Sequence, residues 1–214
     1  MSKTAGVDVN QLTMKPDIFA KLVELLKVDH RATATGIALQ VDSPTVFLID
    51  EHHSSDSLID DNIAIARTLI RIANVALVGV EGCAGGRITL QDLKNPFLGR
   101  CFGGRHRLTA AILGSSGLEV VGVDSPELCN QISEDCQQGK WIPSTHPSEE
   151  LRSAHMATRL IQTIRERGNI QAALLNAGAR HNDDIEAIVR GVKSHDIGAD
   201  GVSFVRIRSR LFPT

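Results

Sequence analysis

The chain has 214 residues, of which 42% are apolar, 23 are Lys or Arg and 25 are Asp or Glu, giving a formal net charge of −2. That length and apolar share suit one domain with a substantial core, and the near-balance of charge gives no reason to expect nucleic acid or an anionic membrane as a partner. Aromatic residues are 3% of the chain and tyrosine is absent, which leaves few stacking surfaces for single-stranded nucleic acid.

Residues 1–15 are polar, with no basic stretch followed by an apolar one, so no signal peptide is read. No apolar run approaches the roughly 20 residues of a membrane span. A soluble cytoplasmic protein is expected, unless a route invisible in sequence exports it. The first helix is expected over 16–27, where Pro16 suits a first turn and Leu22, Leu25 and Leu26 continue an apolar stripe from Ile18. With the polar tail it makes an N-terminal unit over 1–30. A modest strand over 34–40 and a second over 45–50 flank the Ser43-Pro44 turn signal. Residues 58–72 carry apolar side chains at helical spacing, and 75–80 read as a third strand. The segment 82–117 is glycine-rich and is expected to be a loop-rich flap near a cleft, with helical pieces over 90–94 and 105–113.

A strand over 118–123 follows, and Ser125-Pro126 opens a short helix to Gln137. A long helix over 148–167 has Ser148 as its expected cap, an acidic first turn, a basic last turn and Gly168 as its stop. Residues 172–177 form the next strand, after which Asn182-Asp183-Asp184 are expected to cap a helix reaching Lys193. Residues 202–208 form the last strand, and Arg206, Arg208 and Arg210 suggest that it lies at a partly solvated sheet edge. Strands alternate with helices, so the expected fold is α/β: a single domain over 1–214, mainly parallel in its sheet, with helices on both faces.

Four of the apolar runs end in chemically loaded residues. They lead into Asp50-Glu51-His52-His53, Glu81-Gly82, Asp124-Ser125 and Gly178-Ala179-Arg180-His181. Parallel strands would gather these endings at one edge, where ligand crevices form. Glu51 and His53 would share a side of an extended chain, and an imidazole there can act as base or metal ligand; two solvated histidines are the competing reading. Glu81, at the end of a buried run, needs a partner, which could be a metal, an arginine or a histidine. His181 precedes an acidic stretch and either joins the cleft or faces water. Asp124 has a structural explanation as a helix cap. Arg152 shares a helix face with Met156 and points either at a substrate anion or carboxylate, or at a surface partner such as Glu149.

Other chemistry is not supported. The cysteines, Cys83, Cys101, Cys129 and Cys136, show no C-x-x-C spacing and are read as reduced thiols. Gly114-Ser115-Ser116-Gly117 has the wrong spacing for a nucleophile elbow. Phosphate-loop, dinucleotide and His-Glu-x-x-His patterns are missing.

The order Asp50-Glu51-His52-His53, Glu81, Gly122-Val123-Asp124, Arg152-Ser153-Ala154-His155-Met156 and Gly178-Ala179-Arg180-His181 resembles the superfamily that joins erythromycin esterases, ChaN-like proteins, TraB-type proteins and the Tiki proteases. The resemblance runs from about residue 45 to 190. It implies an α/β core with its site at the strand ends and His53, Glu81 and His181 as the site residues. Tiki-like members resemble metal-dependent proteases favouring manganese or cobalt. Esterase-like members hydrolyse esters with a histidine base and no metal, and ChaN-like members bind haem. Asp50 departs from the pattern by standing where the family has glycine, and the lack of tyrosine argues against a tyrosine-ligated haem.

The leading expectation is a hydrolase of an ester or amide (peptide) bond. His53 activates water, Glu81 binds a metal or orients His53, and His181 supplies a second imidazole. A divalent metal (manganese, cobalt or zinc) would be held by His53, Glu81 and His181, with Glu51 and Asp50 as further donors. Asp124, Arg152 and Arg180 are expected to contact substrate. The alternatives are a non-catalytic small-molecule or haem-binding module on the same fold, and an effector or toxin domain that modifies a protein. Oligomeric state is not legible.

Overall fold

The apolar runs become strands whose alternate side chains serve opposite faces of one sheet. In the computed structural model, which describes residues 16–30, 32–40, 42–52, 55–93, 105–113, 115 and 117–213, seven strands form that sheet among the described residues. The tail 1–15, His53, Cys101 and much of the glycine-rich segment lie outside them. In chain order the elements are α1 (Pro16–Asp29), β1 (Ala32–Ala38), β2 (Thr45–Glu51), α2 (Asp56–Ile72), β3 (Leu77–Ala84), β4 (Gly86–Arg87) and α3 (Leu90–Leu93). They continue as α4 (Arg105–Ile112), β5 (Glu119–Asp124), α5 (Pro126–Gln137), α6 (Ser148–Arg167), β6 (Ala172–Gly178), α7 (Ala179–Val189) and β7 (Ser203–Ser209).

The strand order is β1-β7-β2-β6-β3-β5-β4. The inner strands β7, β2, β6, β3 and β5 run parallel, while β1 and β4 pair antiparallel at the two edges. Phe47, Ile49, Val78, Leu174 and Val205 face one way, against Leu22 and Leu26 of α1, Leu69 of α2 and Leu108 and Ile112 of α4. Val46, Leu48, Leu77, Leu175 and Phe204 face the other, against Leu160, Ile161 and Ile164 of α6 and Ile185 of α7. Fully burying one such side chain is worth about 1.5–3 kcal/mol. Packing on the two faces, rather than helix propensity, therefore holds the helices in place. The fold is α/β with a mostly parallel mixed sheet.

Several expected boundaries shift, each for a physical reason. The last strand is not at an edge: β7 lies between β1 and β2, and its two arginines both meet the buried Asp50, Arg206 largely enclosed and Arg208 still half exposed. The helix after β6 starts at Ala179, with Gly178 at its cap, and ends at Val189 rather than Lys193. The three residues expected to cap it are engaged elsewhere: Asn182 donates to Ile49 O at 2.9 Å, Asp183 meets Arg206, and Asp184 meets Ser153. Helix α6 does begin at Ser148, but Pro147 is its cap residue. The Ser148 N–H donates to His146 Nδ1 at 3.1 Å, so an imidazole and not the serine hydroxyl satisfies that end. In the glycine-rich segment the described part extends β3, adds β4, and packs α4 into the core. Among the described residues no helix is long and apolar enough to cross a membrane.

Candidate functional site

Strand β3 delivers Glu81 where its pairing with β5 slips register, between Val80 and Ala84. Irregularities of this kind re-aim side chains. The next residue, Gly82, has φ of 81°, a left-handed conformation that costs other residues about 1 kcal/mol or more. That turn lets the Gly82 N–H donate to Asp124 Oδ2 at 2.7 Å, across to the end of β5. Asp124 Oδ1 also accepts from the Ser125 N–H at 2.9 Å. The cap of α5 is Ser125, whose hydroxyl accepts from Leu128 N, so Asp124 is released from the capping role considered for it.

Helix α6 lays Arg152 between these two carboxylates. Its Nε donates to Asp124 Oδ1 at 2.8 Å and its Nη2 donates to Asp124 Oδ2, a paired fork on one carboxylate. The same Nη2 donates to Glu81 Oε1 at 3.0 Å, and Nη1 donates to Glu149 Oε2 at 3.4 Å. The other oxygen of Glu81, Oε2, accepts from the Gly178 N–H at 2.8 Å. Arg152 is only 8% exposed, so its pairing with Glu149 is interior rather than a surface contact. Burial works against the charged guanidinium, but the hydrogen bonds and charge of Asp124, with the charge of Glu81, outweigh it and raise the Arg152 pKa. Met156, one turn on, is fully buried in the apolar face.

His181 enters from the first turn of α7. Its Nδ1 lies 2.8 Å from Ser153 Oγ, and that oxygen lies 2.8 Å from Asp184 Oδ2. Its Nε2 lies 3.2 Å from Arg152 Nη1, 3.3 Å from Glu81 Oε1 and 3.7 Å from Glu149 Oε2. Arginine can only donate, so Nε2 accepts from Arg152 and the neutral ring carries its proton on Nδ1. Nδ1–H then donates to Ser153, whose own proton has two acceptors, Asp184 Oδ2 and the Glu149 carbonyl at 2.9 Å. The carboxylate is the stronger acceptor. A chain of hydrogen bonds thus runs Asp184–Ser153–His181–Arg152–Glu81. Lys193 holds the far oxygen of Asp184 at 2.8 Å.

His181 also forms part of the wall of a hollow of about 650 Å³ beside the ends of β2 and β6, shared with Glu51, His52, Arg180, Arg208 and Phe212. Glu51 is buried and stands in register with Gly178. Arg180 is exposed. Asp50 is turned elsewhere: it is fully buried, its Oδ1 accepts from Arg206 Nε at 2.9 Å and Asn182 Nδ2 at 3.0 Å, and its Oδ2 accepts from Arg208 Nε. The structure therefore brings Glu81, Asp124, Arg152 and His181 together and gives Asp50 to the arginines of β7. His53 lies outside the described residues.

Among the described residues no group of three His, Cys, Asp or Glu side chains is arranged to hold a metal ion. Both oxygens of Glu81 and the Nε2 of His181 are directed at Gly178 and Arg152, so these donors fit a guanidinium better than a divalent cation. Cys129, beside Arg152 and Asp124, has its thiol pushed up to about 12 by burial, with Arg152 opposing and Asp124 adding. Burial and the charges of Asp124 and Asp92 push Cys83 up to about 11. Both stay neutral thiols near pH 7, poor nucleophiles.

Ser153 and Asp184 were not singled out from sequence. Asp184 stands three residues after His181 on one helix, a spacing that puts both on one face; the acidic run Asn182-Asp183-Asp184 reads equally as a cap, which hides that signal. Compared with known proteins, the chain matches no family model, no curated protein and no solved structure at a significant level.

Proposed function

We propose that the hollow is the active site of a cytoplasmic hydrolase that cleaves an ester or amide bond, with His181 exchanging the proton. The observation that carries this reading is an imidazole in the wall of a hollow, held at both nitrogens by Ser153–Asp184 on one side and Arg152–Glu81 on the other. For Nε2 to take a proton from an attacking water, Arg152 Nη1 must first give up its hydrogen bond to that nitrogen, keeping Glu149 as its acceptor. The new N–H then faces Glu81 at 3.3 Å and Glu149 at 3.7 Å, and the two carboxylates stabilise the imidazolium. The Ser153–Asp184 pair fixes the ring through Nδ1, the orienting role a third group plays beside a catalytic base. Water activation by His53, the residue after the hollow's His52, belongs to the same proposal. The likeness of the five motifs to the erythromycin esterase, ChaN-like and TraB–Tiki superfamily supports it and favours its metal-free, esterase-like branch, because Arg152 occupies the donors a metal would need.

The test uses untagged protein, a series of p-nitrophenyl esters and a fluorogenic peptide set, with metal content measured on the same sample. His181→Ala is expected to lower kcat/KM on a cleaved substrate by about 100-fold or more, and His53→Ala to lower it as well. Full activity of His181→Ala overturns the assignment. Binding of small molecules without turnover by the wild type would favour a bare binding module, and stoichiometric metal would favour the metal-dependent branch.

A further inference from the structure

Three acids of β2 and α7, Asp50, Asp183 and Glu186, meet arginines, while Asp184 is held by Lys193 and Ser153; Asp183 and Glu51 themselves line the hollow. Asp50 takes Nε of both Arg206 and Arg208. Asp183 is held by Arg206 Nη1 at 2.7 Å and Glu186 by the same nitrogen at 3.0 Å, with Arg190 as a second partner of Glu186 at 2.8 Å. Two arginines of the lining keep donors to spare. Arg180 is exposed and its side chain has no partner among the described residues. Arg208 hydrogen-bonds Asp50 through Nε; among the described residues its terminal nitrogens donate no hydrogen bond, and Nη2 lies 4.0 Å from Asp183 Oδ1. The Arg208 side chain is 46% exposed, and its guanidinium lies over the Phe212 ring, 5.1 Å from the centroid. Both arginines and Phe212 line the same hollow as His181.

We propose that this end of the hollow is a subsite for an oxyanion on the substrate, a carboxylate or a phosphate, gripped by Arg180 and the terminal nitrogens of Arg208, with Phe212 against the adjoining apolar chain. Guanidinium forks match the geometry of both anions. The cation lies over the Phe212 ring, and both side chains line the hollow. Resting on the hydrolase reading, the inference narrows the substrate from any ester or amide to one that carries a negative group along its acyl chain from the bond cut at His181.

Two measurements separate the subsite from the chemistry. The first is binding: titration of isotope-labelled protein with adipate and, separately, inorganic phosphate, followed through the amide signals of residues 178–183. Saturable shifts that weaken with added salt, and weaken about tenfold in Arg180→Gln but less in Arg180→Lys, support the subsite. The stronger of the two ligands tells carboxylate from phosphate. Saturation by neither, or equal binding in Arg180→Gln, overturns it. The second is turnover of three p-nitrophenyl esters of one chain length: hexanoate, the adipate monoester and 6-phosphooxyhexanoate. The ratio of acidic to neutral turnover is expected to exceed one and to fall about tenfold in Arg180→Gln, with Arg208→Gln acting in the same direction. Turnover that depends on His181 but shows no acid preference sinks the subsite and leaves the hydrolase standing. Anion binding that Arg180→Gln abolishes, with no ester cleaved, does the reverse.

Discussion

Arg152 carries more charge contacts than any other described side chain of the site. It faces Glu81 and Asp124, each with a side chain only 2% exposed, and the buried Glu149. Replacing one partner of a buried ion cluster leaves the others charged and desolvated, which costs about 3–5 kcal/mol. Arg152→Met keeps most of the side-chain length and removes the charge, so it is expected to lower the free energy of urea unfolding at pH 7 by an amount in that range. A loss below about 1 kcal/mol would mean that water reaches the carboxylates and that the cluster is not closed. At this scale the sequence is partly transparent. Glu81 and His181 stand at the ends of apolar runs, and a carboxylate there demands a partner. Arg152 is visible only as a helix residue with two possible directions. Ser153 is not visible at all, because a serine in mid-helix is unremarkable until α6 crosses α7 and sets it between His181 and Asp184.

The spacing between elements decides whether those side chains meet. Gly79 on β3 leaves little room beneath α6: a Cβ there would stand 3.0 Å from Val123 Cγ1, 3.2 Å from Leu160 Cδ1 and 3.3 Å from Leu175 Cδ1. Leu160 follows Arg152 by about two turns, roughly 12 Å along the helix, so pushing it away tilts the guanidinium relative to Glu81. Overpacking of this kind costs about 1–3 kcal/mol, against at most about 1 kcal/mol gained by removing a glycine from a strand. Gly79→Ala is therefore expected to be net destabilising. For a chain of this size each kcal/mol moves Tm by about 2–4 °C, so a fall of a few degrees in a thermal melt is the outcome sought; a Tm equal to or above the wild type would show that Leu160 yields freely. Gly178 works differently. Its φ of −56° is open to any residue, and the site uses its N–H, donated to Glu81. The element order was readable from alternating periodicities. The position of β7 was not, because its arginines look like surface residues until strand pairing brings them to Asp50, 156 and 158 positions earlier in the chain.

Across the whole molecule, composition gives the near-zero net charge but not which charges meet, and the pairings set how stability responds to pH. Glu119 is held below the usual carboxylate range by its hydrogen bonds from Arg167, and Glu186 is too, because Arg206 and Arg190 outweigh the effect of burial. A lowered folded pKa stabilises above the unfolded value and is lost as pH falls through the folded one, so these pairs weaken only in acid. The alkaline side is simpler here than in most proteins because the chain has no tyrosine. Cys83 and Cys129 are raised from 9.0 to about 11 and about 12. Above pH 9 the unfolded chain releases these thiol protons while the folded chain keeps them. The unfolded state then binds fewer protons, and stability must fall as pH rises through that window. Lys193, raised above 10.5 by Asp184 and Glu150, adds to the loss once pH passes that value. Urea midpoints measured at pH 7, 8.5, 10 and 11 are expected to stay level to 8.5 and then decline. In Cys83→Ala with Cys129→Ala the absolute midpoint drops because core volume is lost, but the decline between pH 8.5 and 10 becomes shallower. A decline of unchanged steepness in that variant would remove the thiols as its cause and would place them in contact with water, where their ionisation is the same in both states.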